Sequence, residues 1–251
     1  MIINYGEKGW EVITQRAHGL LAMQLAMEWK RSRRPTRWIE TLMAIAEHDD
    51  AEVELDGEEL LTPSGGPLNF TMKHFDLEHC RKVRQLSLTK SRYIALLTSF
   101  HLNFLYQEEA KTNKTAAKFL REQQPLQRQW SKELNISMEE VKGIYSLLEW
   151  CDAFSLIICQ QLIQPESRAI EISKGPDANP YQLYQLDRRR LTVCPWPFET
   201  KKFEIRYESR LIEQLRFNSS AHFRECFYQA EVRETTWIVC KMPAPRKIKK
   251  V

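Results

Sequence analysis

A chain of 251 residues, 43% hydrophobic and 28% charged, can bury a sizeable core as one large domain or two small ones. Its 37 basic and 33 acidic residues leave a formal charge of +4, too mild to favour nucleic acid as a partner. Eight Gly and 11 Pro exclude a collagen-like or low-complexity chain, and no apolar run approaches the ~20 residues of a membrane-spanning helix. The opening MIINYGEKGWEV lacks the basic and then apolar order of a secretory signal. The six cysteines form no CxxC pair, so the expectation is reduced thiols in a cytoplasmic protein without a membrane segment.

Alternation around Gly6 and Gly9 predicts a short hairpin over residues 1–14. The period then becomes helical. One helix is expected over 16–30 and a second from Pro35 to about 48. Residues 50–75 read as irregular, with turn signals at Asp56-Gly57 and 63–67. Further helices fit 76–89, 91–108, 113–134 and 137–163; Asn113 and Ser137 are the expected caps, and Glu140 completes a capping box with Ser137. Beyond Pro165, strands are expected at 169–173, 191–194, 203–207 and 235–241. The expected fold is mainly α, a helical bundle with an N-terminal β-hairpin (1–15), a helical body (16–165), a small C-terminal β-rich part packed on the helices (166–242) and a basic tail (243–251).

Several polar residues fall on the apolar faces of these helices. His18 lines up with Leu21, Ala22, Leu25 and Trp29, and His48 and Asp49 close the stripe of Trp38, Leu42 and Ile45. His79 lines up with Val83 and Leu86, His101 with Ile94, Leu97, Thr98 and Leu105, and Asp152 with Tyr145, Leu148, Leu156 and Cys159. A lone inward His is commonly a hydrogen-bonded core residue, Asp49 can simply end a helix, and Asp152 can pair with an Arg. An unpartnered buried carboxylate is nonetheless expensive. Four imidazoles and two carboxylates facing inward from five helices are a suitable ligand set for a metal site in a helical bundle. His74 and Asp50 are reserves if the register is one turn off, and His222 reads as a surface residue. Trp196 and Phe198 in CPWPF either pack a rigid corner or help to wall a ligand pocket.

The order His18, His48-Asp49, Asp152 resembles the HD-domain superfamily of metal-dependent phosphohydrolases, and His79 and His101 resemble the added ligands of its two-metal members. More narrowly, the stretches 14–22, 46–50, 63–70, 96–106, 150–156 and 194–198 resemble an uncharacterised bacterial family of unknown function. Asp50, Ala51 and Glu52 after the His-Asp pair, and Cys194 before PWPF, depart from that family's usual residues. The resemblance implies an HD-like bundle holding one or two divalent ions (Mn, Fe, Ni or Zn). A first ion would sit on His18, His48, Asp49 and Asp152. Asp49, the expected catalytic residue, would bridge to a second ion on His79 and His101. The implied reaction is hydrolysis of a small phosphorylated molecule or nucleotide. Arg84, one turn beyond His79, is a candidate phosphate contact, and Ser155, three residues beyond Asp152, reads first as a helix-face hydroxyl and second as a group holding a water or ligand beside the centre. The alternatives are a non-catalytic scaffold that binds a ligand or protein, and a di-iron oxygenase-like activity on the same ligands.

Overall fold

The computed structural model describes residues 1–50, 54–57 and 59–242. The expected basic tail, and Ala51 and Glu52, lie outside them. The chain begins with β1 (Ile2–Gly6) and β2 (Gly9–Ile13), followed by six helices: α1 (Gln15–Met27), α2 (Trp38–Ala46), α3 (Leu77–Lys90), α4 (Arg92–Tyr106), α5 (Lys114–Leu134) and α6 (Met138–Cys159). Then come β3 (Ala169–Lys174), β4 (Pro180–Asp187), β5 (Arg190–Cys194), β6 (Lys202–Ile212), α7 (Ser220–Gln229) and β7 (Glu231–Cys240).

Local chemistry accounts for most helix starts. Asn113 accepts from the Thr115 and Ala116 amides, Ser137 from Glu140, Asp76 from Glu78 and His79, and Ser91 from Ile94. Pro35 does not open α2. The helix begins at Trp38, after a single 3₁₀ turn at Arg31–Arg33.

The mainly-α expectation is wrong. The protein is 47% helix and 23% strand, and its strands form one mixed seven-stranded sheet curled into a half-barrel. Its order is β1-β2-β6-β7-β5-β4-β3, with β5 and β7 parallel and the other pairs antiparallel. The N-terminal hairpin is therefore part of the same sheet as the C-terminal strands. Gly9 permits this junction: at φ +119°, a Cβ there would lie 2.2 Å from the Ile212 carbonyl oxygen. Strand content was underestimated because the sheet has a polar outer face. Along β6, Ile205, Tyr207 and Ser209 are buried, while Glu204, Arg206 and Glu208 are exposed. Neither the full length of β6 and β7 nor the existence of β4 stands out as an apolar run.

The helices cover the other face. α1 lies along β6 and α6 against β3, and α2 and α4 complete the packing around α1 and α6. The main core runs from Leu21, Leu25 and Trp29 through Leu148, Trp150 and Phe154 to Tyr181, Phe198 and Ile205. Phe198 packs edge-on against Trp29, Trp150 and Phe203, and the Pro197 and Glu199 backbone hydrogen-bonds to Lys30 and Glu28 at the end of α1. The PWPF corner thus ties the sheet to α1. No helix among the described residues is long and apolar enough to cross a membrane.

Candidate metal centre

His18 projects from the second turn of α1, which Thr14 caps by accepting from the Ala17 amide. His48 and Asp49 follow the end of α2. The two segments approach closely because residue 19 is glycine: a Cβ there would lie 2.3 Å from the Ala46 carbonyl oxygen. His101 comes from α4 and Asp152 from α6. The three histidines are each 1% exposed or less.

Their geometry is that of converging ligands. His48 Nε2 lies 3.4 Å from both Asp152 Oδ1 and Asp49 Oδ2. His18 Nε2 lies 3.7 Å from Asp152 Oδ1 and 3.8 Å from Asp49 Oδ2. These separations exceed the usual 2.7–3.2 Å of an N–H···O bond. They match the spacing of about 3–4 Å between donors that each sit about 2 Å from one ion. His18 Nε2, His48 Nε2 and Asp152 Oδ1 are buried without a hydrogen-bond partner among the described residues. Two overlapping groups, His18–His48–Asp152 and His48–Asp49–His101, could hold a metal ion.

The far side of each ring fixes its orientation. Ser155 Oγ donates to the Asp152 carbonyl at 2.8 Å, so its hydroxyl accepts from His18 Nδ1–H, also at 2.8 Å. His48 Nδ1–H donates to the Ile45 carbonyl at 2.7 Å. Both rings are therefore held with Nε2 turned toward the carboxylates, the orientation that metal-ligating histidines use. His101 bridges outward, with Nε2 3.3 Å from Asp49 Oδ1 and Nδ1 3.3 Å from the Tyr145 hydroxyl. Gln15 Nε2 donates to Asp49 Oδ2 at 3.0 Å.

The charges are mutually dependent. Burial opposes ionisation at Asp49 and Asp152, but the neighbouring His48 outweighs it and holds both carboxyls below their usual range. Burial also opposes a charge on His48, yet Asp49 and Asp152 raise its imidazole well above the ordinary value.

A cavity opens over His48 and Asp49. His79 lines it but joins neither ligand group; it stands half-buried near the start of α3, at the mouth of the cavity. Arg84 is placed elsewhere, its guanidinium 5.9 Å over the Phe119 ring, and does not line the cavity. Asp50 lines the rim, His74 is exposed, and His222 stands half-buried on α7 beside Phe217. Sequence reasoning missed Gln15, Arg16, Lys73 and, as a site residue, Tyr145. Tyr145 stood seven residues before Asp152 on the same stripe, which was the available signal.

A family model described as protein of unknown function (DUF3891) matches residues 1–214. The chain belongs to the DUF3891 family. The match takes in every residue of the centre and ends before α7 and β7. Neither the curated proteins nor the solved structures give a significant match.

Proposed function

We propose that this DUF3891 protein is a metal-dependent phosphohydrolase acting on a small phosphate ester or nucleotide. The observation that carries the reading is the buried convergence of His18 Nε2, His48 Nε2 and Asp152 Oδ1, three potential ligand atoms with no hydrogen-bond partner among the described residues. The ligand order along the chain, which resembles the HD-domain superfamily, adds to it. That likeness concerns the site alone, since the surrounding fold is not a mainly helical bundle.

His18, His48 and Asp152 would hold one ion. Asp49 stands between the two ligand groups, with one oxygen toward His101 and the other toward His18 and His48. It could be shared with a second ion that has His101 as a ligand. Mn, Fe, Ni and Zn all suit imidazole with carboxylate. A bound divalent ion supplies a Lewis acid and lowers the pKa of water from about 16 to about 7. Ser155 and the Ile45 carbonyl keep the His18 and His48 lone pairs aimed inward. Gln15 orients Asp49 at the floor of the cavity, where a substrate enters.

Elemental analysis of the purified protein should find one to two equivalents of a transition metal. Phosphomonoesters, phosphodiesters and nucleotides, each offered with Mn, Fe, Ni and Zn, should reveal turnover that Asp49→Asn abolishes. A protein that remains metal-free after refilling with each ion overturns the reading. Metal without turnover moves the case to a non-catalytic scaffold, and an oxygen-dependent optical change in the iron-loaded protein moves it to oxidation.

A further inference from the structure

Arg16 and Lys73 bring positive charge to the rim of the cavity. Arg16 is the second residue of α1, next to Gln15, which touches Asp49, and two residues before His18. Its Nε donates to Asp50 Oδ1 at 2.8 Å, and its side chain is 51% exposed. A guanidinium has five N–H donors in a planar fork. Asp50 engages one of them, and the terminal nitrogens of Arg16 make no hydrogen bond among the described residues. Lys73 follows the 3₁₀ turn Phe70–Met72, is exposed, and makes no ion pair among the described residues. The rim carboxylates are already engaged: Asp50 by Arg16, and Glu54 by the Gln15 amide and the Met1 amino group.

We infer that Arg16 and Lys73 form the oxyanion-binding edge of this cavity, receiving a terminal phosphoryl group through the Arg16 fork, with Asp50 holding the guanidinium until the anion arrives. The inference rests on the metal reading, because the floor below carries Asp49, with Asp152 buried behind His48. With a divalent ion in place their negative charge is offset and the two cations dominate the opening. Without it the two carboxylates weaken the pull of the rim on an anion, so binding of the anion is stronger with the metal in place. A planar fork meets two oxygens of a tetrahedral phosphoryl group at once, and an ammonium supplies a further point charge. A terminal phosphomonoester presents more free oxygens to such a fork than an internal diester does.

Inorganic phosphate is the probe, measured by equilibrium dialysis on the full-length protein loaded with Mn or Zn and freed of excess metal. Metal content is assayed in parallel. Phosphate should bind the loaded wild type and bind the metal-free protein about tenfold more weakly or less. Loss of the fork in Arg16→Ala should weaken binding about tenfold, with Arg16→Lys recovering part of the loss. Lys73→Ala should weaken it by about threefold, and Asp50→Asn, by releasing Arg16, should strengthen it about threefold. All four variants should keep their metal. If Arg16→Ala retains both its metal and wild-type phosphate affinity, the oxyanion edge is wrong and the metal centre stands. If Arg16→Ala loses its metal, Arg16 acts through the fold and the proposal also falls. If the wild type takes up no metal, both readings fall together.

Discussion

Two buried regions contain polar atoms without hydrogen-bond partners, and they differ in how those atoms are arranged. In the aromatic core, Trp29 and Trp150 pack with ring centroids 5.0 Å apart, and neither indole N–H has a partner among the described residues. Each is a lone donor on a large apolar ring, surrounded by Tyr181 and Phe198. In the centre formed by α1, α2 and α6, the partnerless His18 Nε2, His48 Nε2 and Asp152 Oδ1 are all potential ligand atoms, and they face one another within 4.8 Å. Burial is the same in both places. Convergence of ligand-type groups separates a candidate metal site from a packed core, in which each polar atom stands alone among apolar rings.

The comparison can be broken most forcefully in the aromatic core. Phe198→Ala should cost about 3–5 kcal/mol of stability in urea denaturation, while the folded fraction keeps its metal. Metal loss from the folded protein would mean that the two regions are not independent. Asp152→Asn should do the reverse: at least a hundredfold weaker metal binding by titration calorimetry, about 2.7 kcal/mol, with stability of the metal-free protein within about 1 kcal/mol of wild type. Gly19→Ala tests the junction. Forcing a Cβ against the Ala46 carbonyl should destabilise by about 1–3 kcal/mol and, by separating His18 from His48, weaken metal binding more than Phe198→Ala does. Ser155→Ala removes the acceptor behind His18 and should lower metal affinity about 10–100-fold without a comparable change in melting temperature.

The smallest effect concerns pH. Burial raises the Glu149 carboxyl to about 7 although the Ser173 hydroxyl donates to it, and the Asp152 charge adds to the rise. Between its unfolded value of about 4.3 and its folded value, the native state binds more proton than the unfolded chain, so this group lowers stability as pH rises. Glu149→Gln should therefore match wild type near pH 4.5 and exceed it by about 1 kcal/mol at pH 8, a magnitude reduced by solvent screening at a half-buried position. Parallel denaturation curves at the two pH values check this; an equal difference at both would remove the ionisation argument.

The helices and their ligand-bearing faces were legible because each signal is local. A 3.6-residue period and a capping side chain lie within one short stretch, and so does the position of His18, His101 or Asp152 on its stripe. The sheet was not legible, because β2 meets β6 across about two hundred residues and no local pattern announces the pairing. For the same reason the sequence draws attention to Arg84, one turn beyond His79, and leaves Arg16 unmarked. Helical spacing places a residue on a face but does not reveal that the start of α1 lies over Asp49. Asp50 and Arg16 were each visible as charges, and only the fold makes them a pair.

The position of β7 has a consequence in time. The centre draws on residues up to Ser155, whereas β7, the strand that joins β6 to β5, ends at Cys240. At a synthesis rate of 5–20 residues per second, roughly 4 to 17 seconds separate the emergence of the two. From the completion of β6 at Ile212 until β7 follows, β5 and β6 each present an unpaired hydrogen-bonding edge, a hazard for pairing with other chains. The nascent protein can thus assemble its ligand set before its sheet is sealed, and an ion held early by α1 and α6 would keep the helical layer in place until the last strand arrives.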